Sequence, residues 1–173
     1  AFAAELVAAI AAGVPASGVD VVVLPPLPYL GKLIENFDEQ GVLFGAQDVS
    51  ANELGAFTGE VSAAMLVDIG ARYGLVGHSE RRQYHAEKDA LIARKFLAAK
   101  HAGLVPILCI GESLHEREAG QTEYRIEAQL AAIFEHAGVH AFSGAVVAYE
   151  PVWAIGTGKT ATPAQAQATH AFI

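Results

Sequence analysis

Three observations predict a parallel α/β fold. Short runs rich in β-branched residues are continuously apolar rather than alternating, as strands buried on both faces require. Segments with a helical repeat separate these runs. Polar residues stand just behind the strand candidates: Gln47 and Asp48, then His78, Ser79 and Glu80, then Glu112, then Glu150. This alternation fits a doubly wound open sheet or a (β/α)8 barrel, and in a barrel those positions share one rim.

The first element is a helix. In AFAAELVAAIAAGVP, Phe2, Leu6 and Ile10 recur every four residues, Gly13 follows and Pro15 comes after, giving one helical face and a stop. The stretch imitates the apolar part of a signal peptide, but Glu5 interrupts it and neither a basic leader nor an initiator Met stands before it. Strands are predicted over 21–24, 42–46, 73–77, 104–110 and 145–149. Residues 28–37 carry Leu30, Leu33, Ile34 and Phe37 at helical spacing. Further helices are predicted over 62–69, 87–102 and 122–137, each followed by a glycine, namely Gly70, Gly103 and Gly138. Thr162-Pro163-Ala164-Gln165 combines an N-cap, a first-turn proline and a capping-box glutamine, so a last helix begins there. The first strand-to-helix turn, LPPLPYL, has no glycine fingerprint, which disfavours a dinucleotide fold. No linker interrupts the pattern, so 1–173 reads as a single domain.

Composition narrows the function classes. With 53% hydrophobic and 17% charged residues over 173 positions, the chain can bury a substantial core. A net charge of −8 argues against nucleic acid or an anionic membrane as partner. No segment approaches the roughly 20 apolar residues of a membrane span. Cys109 is the one cysteine, so no disulfide forms within the chain and a reducing, cytoplasmic setting is expected.

The segment AYEPVWAIGTGKTAT (148–162) raises two readings. Gly158-Lys159-Thr160 suggests a nucleotide loop, but that loop needs a glycine where Trp153 stands. The other reading makes Glu150, at a strand end before Pro151, a catalytic acid followed by a mobile cover. In GHSERR (77–82), His78 follows a strand and opens a short helix. The helix dipole disfavours its cationic form, leaving a neutral ring able to donate a hydrogen bond. The bland alternatives are a histidine capping a turn and a rim carboxylate paired with Arg81 or Arg82. Strands 73–77 and 145–149 are two apart in order, so His78 and Glu150 can line one barrel mouth.

GHSERR and AYEPVWAIGTGKTAT resemble the two signature segments of the triosephosphate isomerase family. FGAQDVSANELGAFTGEVSAAML (44–66) resembles its dimer-interface loop and PILCIGE (106–112) its fifth strand, and the likeness runs the whole length of the chain. The resemblance implies an incomplete (β/α)8 barrel with about five parallel strands, interconverting dihydroxyacetone phosphate and glyceraldehyde 3-phosphate through an enediolate, without cofactor or metal. It implies Glu150 as the base, His78 as a neutral electrophile, residues 151–160 as a lid, and the backbone N–H of Gly156 as a phosphate ligand. Ser79 and Glu80 match supporting positions. Loop 47–62, with Thr58 near its tip, implies a homodimer.

The chain departs from the family in two places. The family's Asn-x-Lys segment after a first strand has no counterpart, since Lys32, Lys88, Lys95, Lys100 and Lys159 stand in other contexts. The pattern also stops before the seventh and eighth strands. Residues 1–173 therefore read as an internal fragment, expected to lack isomerase activity by itself, and an inactive scaffold is the alternative function.

Other candidates are weaker. Glu80 and Glu150 could imitate a two-carboxylate glycosidase, but a glycine-rich phosphate lid has no role on a neutral sugar. HEREAG (115–120) lacks the second histidine of a zinc helix, and His85, His101, His136, His140 and His170 are scattered. Cys109, inside an apolar strand, reads as core rather than nucleophile. Trp153, between hinge residues, reads as a switch.

Overall fold

A computed structural model describes residues 2–15 and 18–173. It packs as two compact units, Ala1–Val76 with Lys95–Pro106, and Gly77–Arg94 with Ile107–Ile173.

In the first unit, helix α1 (Phe2–Ala12) stops at Gly13 as its sequence requires. Strand β1 (Val21–Val23) ends one residue short of expectation, before two prolines that cannot donate to a ladder. Helix α2 (Leu27–Phe37) buries Leu30, Leu33 and Ile34, the stripe read from the sequence. Strand β2 (Val42–Ala46) pairs in parallel with β1, Val22 opposite Leu43. Helix α3 (Ala63–Asp68) is capped by Ser62, whose hydroxyl accepts from the Met65 N–H at 3.3 Å. Strand β3 (Tyr73–Val76) pairs in parallel with β2, Gly45 opposite Tyr73. A Cβ on Gly45 would stand 2.7 Å from the Tyr73 Cβ, so this contact admits only glycine. Phe44, Leu30 and Leu66 are among the fully buried side chains of this unit's core.

Loop 47–62 is tied at its base. Ser50 N–H donates to Val61 O at 3.0 Å, Gln47 Nε2 to Leu24 O at 3.0 Å, and the buried Lys95 ammonium bonds both Asp48 oxygens at 2.8 and 2.9 Å. Leu54 at the loop's far end is 88% exposed.

Helix α5 (Asp89–His101) and strand β4 (Val105–Ile110) contribute residues to both units. In the second unit stand α4 (Ser79–Tyr84), α6 (Leu114–Glu118), α7 (Thr122–Ala137), β5 (Val146–Tyr149) and α8 (Pro163–Phe172). Strands β4 and β5 are parallel, Cys109 opposite Ala148 and Ile110 opposite Tyr149. Helix α7 packs Ile126, Leu130 and Ile133 inward, and Leu108 and Ile110 of β4 are fully buried.

Two expectations need correction. Strands β1 and β5 are only half-buried, with Val146 exposed, and among the described residues each has a strand partner on one side only. The helix expected over 87–102 begins at Asp89, since Ala86 takes a positive φ of 54° and Glu87 turns inward. No described helix is long and apolar enough to cross a membrane.

Candidate active site

Strand β3 stops at Val76 because Gly77 takes a φ of +76°, a turn that aims the chain into α4. A side chain on Gly77 would also meet Cys109 O at 3.0 Å. His78 caps α4, its Nδ1 accepting the Glu80 N–H at 3.3 Å. In this contact Nδ1 is the acceptor, which leaves Nε2 on the other edge of the ring. The Nε2 points at Glu150, 3.2 Å from its Oε1, and both side chains are about three-quarters covered.

Glu150 is placed by its backbone. Its N–H donates to Ile110 O at 2.8 Å, extending the β4–β5 ladder by one step. Its carbonyl lies against Gly111, where a Cβ would be 1.8 Å from Glu150 O, so any other residue would displace the strand end. The guanidinium pairing weighed for Glu150 does not form. Arg81 makes a two-pronged bond to the buried Glu87, Nε at 2.8 Å and Nη2 at 2.7 Å. Arg82 donates to Gly77 O at 2.9 Å and pairs with Asp89. Asp89 also holds Arg125 of α7 at 3.0 Å, so α4, α5 and α7 are fastened together around the His78 turn. Burial works to raise the Asp89 carboxyl, but the hydrogen bonds and charges of Arg82 and Arg125 outweigh it and hold it below its ordinary value.

Behind Glu150 lies a charged hub. Glu112 is wholly buried and accepts from three donors: Trp153 Nε1 at 2.8 Å, Arg117 Nη1 at 2.9 Å and Tyr149 Oη at 3.0 Å. The Arg117 guanidinium also lies 4.8 Å from the Trp153 ring centroid. Burial, with the adjacent Glu112 carboxylate, raises the Tyr149 phenol above its ordinary value, although a hydrogen bond with Thr169 acts against the rise. The sequence marked Glu112 only as a polar residue behind a strand. Two of its donors, Tyr149 and Trp153, are recruited from the far end of β5 and the turn after it, and the third, Arg117, from α6.

Trp153, in the 3-10 turn Val152–Ala154, is thus an anchored core residue here. Beyond it the chain is exposed. Thr157 Oγ1 donates to Trp153 O at 2.7 Å, and Gly156 and Gly158 both take positive φ. Nothing lies within 4 Å of the place a Gly156 Cβ would occupy. Glu80, weighed as a second carboxylate, is mostly exposed and lies on the opposite ring edge, 3.8 Å from His78 Nδ1. Burial, with the Glu150 charge behind it, pushes the Cys109 thiol up to about 12, which makes it an inert core group. No group of three or more metal-ligating side chains occurs among the described residues.

Parallel strands followed by helices, with a carboxylate and an imidazole meeting behind two strand ends, are features of a (β/α)8-barrel enzyme. The sequence matches the family described as triosephosphate isomerase over residues 1–173. The triosephosphate isomerase of Stenotrophomonas maltophilia (strain K279a) is 69% identical over 172 residues, covering 99% of this chain and 68% of that protein. That of Xanthomonas campestris pv. campestris (strain 8004) is 69% identical over 173 residues, covering 100% of this chain and 69% of that protein. The chain belongs to the triosephosphate isomerase family, with five strands of the incomplete barrel among the described residues. Relatives this similar, named as isomerases, favour an isomerase over the inactive scaffold.

Proposed function

We propose that Glu150 removes a carbon-bound proton from dihydroxyacetone phosphate and returns it to the neighbouring carbon, giving glyceraldehyde 3-phosphate. The observation that carries this reading is the 3.2 Å approach of Glu150 to a His78 whose other nitrogen is already engaged by Glu80 N–H. With substrate between them, the carboxylate faces the carbon and the Nε2–H faces the carbonyl oxygen. The hydrogen bond from a neutral imidazole stabilises the enediolate without adding a proton to it. The same nitrogen then moves a proton between the two oxygens. Residues 151–160 close as a lid, hinged next to the anchored Trp153, and the Gly156 N–H meets the substrate phosphate. Closure excludes water from the carboxylate and protects the intermediate from side reactions.

Glu150→Asp tests the base. Retracting the carboxylate by one methylene is expected to lower kcat about a hundredfold with KM little changed, in a coupled assay on the full-length protein. Normal turnover would remove the assignment.

The partner assignment is a homodimer through loop 47–62. Its base is tied by the Asp48–Lys95 pair while Leu54 and Phe57 stay exposed, a loop with an apolar tip. Leu54→Asp is expected to yield monomers in sedimentation, and an unchanged dimer would contradict the loop's role. The single, buried Cys109 and the family's glycolytic and gluconeogenic reaction support a cytoplasmic setting. Recovery of the protein outside that compartment on fractionation would refute this placement.

A further inference from the structure

Helix α7 presents a polar side chain on its apolar stripe. Gln129, only 3% exposed, lies among Ile126, Leu130 and Ile133. A buried carboxamide costs free energy unless both its ends are bonded. Both are bonded to one residue: Gly111 N–H donates to Gln129 Oε1 at 2.9 Å, and Gln129 Nε2 donates to Gly111 O at 3.0 Å. The side chain thereby does for Gly111 what a neighbouring strand would do, one residue past the end of β4.

Gly111 is also the surface on which Glu150 rests. The Glu150 N–H is held by Ile110 O, and its carbonyl is packed against the Gly111 Cα so tightly that no Cβ fits between them. The next residue along, Glu112, anchors Tyr149 and Trp153, which lie on either side of Glu150 in the chain. Movement of the peptide groups around Gly111 would therefore reach Glu150 both directly and through its flanking residues. We infer that Gln129 is a positioning residue for Glu150: by gripping Gly111 at both backbone groups, it sets the place from which β5 presents the carboxylate to His78. The inference rests on the reading of Glu150 as the base. It predicts a dependence on geometry that acts on the chemical step and leaves substrate binding alone.

The test uses two variants of the full-length protein beside Glu150→Asp. Gln129→Met keeps the shape and removes both bonds. A displacement on the order of 1 Å at a reacting group costs about a hundredfold, so a fall of about 10- to 100-fold in kcat with KM within about twofold is expected. Gln129→Glu keeps the acceptor, and when protonated it regains a donor for Gly111 O. Burial favours that protonated form. The ratio of its kcat to that of the parent is expected to climb as pH falls from about 8 to about 6. A folded Gln129→Met with unchanged kcat, or with its loss confined to KM, overturns the inference. If Gln129→Met does not fold, a Gln129→Glu whose kcat stays parental at a pH where infrared spectroscopy shows its carboxyl ionised overturns it. Slow Glu150→Asp with normal Gln129 variants sinks the positioning role alone. Normal Glu150→Asp sinks the base assignment and the inference with it.

Discussion

Glu112→Leu removes the acceptor that three donors share, and the structure sets the size of the effect. The Trp153 N–H lies in a buried ring, so leaving it unpaired costs about 1–3 kcal/mol. The Arg117 bond is charge-assisted, but that side chain is about a quarter exposed and can turn toward water, which discounts its loss to about 1 kcal/mol. The Tyr149 hydroxyl is half-buried and keeps its Thr169 contact, so its share is about 0.5 kcal/mol. A leucine regains some stability by avoiding burial of the carboxylate. The net expectation is a loss of about 3 kcal/mol, or about 6–12 °C in Tm at this chain length. Urea denaturation followed by circular dichroism measures it. A double-mutant cycle with Trp153→Phe, which keeps the ring and deletes the N–H, should return a coupling of about 1–2 kcal/mol. A loss below about 0.5 kcal/mol, or no coupling to Trp153, would refute the hub as the anchor of the turn behind Glu150.

Two predictions concern pH. Asp89 is held below its ordinary value of 3.8, so it contributes stability above that value and loses it as pH falls through the lower, folded one. The stability gap between parent and Asp89→Asn should therefore narrow on acidification, and a gap constant from about pH 7 to about pH 3 would contradict the Arg82–Asp89–Arg125 cluster. Cys109, raised to about 12, favours the neutral thiol in the folded state. Its contribution is present below the ordinary thiol value of 9.0 and is lost as pH rises through the folded value. At about pH 8 a disulfide reagent should label it at the rate of unfolding, and immediate labelling would overturn its burial.

The strand pattern was legible because β2, β3 and β4 are nearly continuous apolar runs, and their ends moved by at most one residue. Short α6 was missed although Ser113 and Glu116 form the capping box that announces it, with Ser113 Oγ accepting the Glu116 N–H at 3.3 Å. His78 and Glu150 were legible because each follows a strand and precedes a turn former. Their mutual approach was not, since 72 positions separate them. The apparatus beneath them is tertiary: Glu112 draws donors from 37 and 41 residues away, and no local pattern carries that distance. Gln129 did leave a trace, as a polar residue in register with Ile126 and Ile133 on a buried helix face.

The central claim is that Glu150 carries a carbon-bound proton through an enediolate. Turnover of the full-length protein in deuterium oxide, with product read by NMR, tests it most directly. A proton resting on the carboxylate exchanges with solvent each time the lid opens, so the account predicts deuterium on a share of the carbons that receive it. The rate of incorporation should fall in step with turnover in Glu150→Asp. Product that retains only protium through complete conversion, with the hydrogen passing directly between carbons, would contradict it.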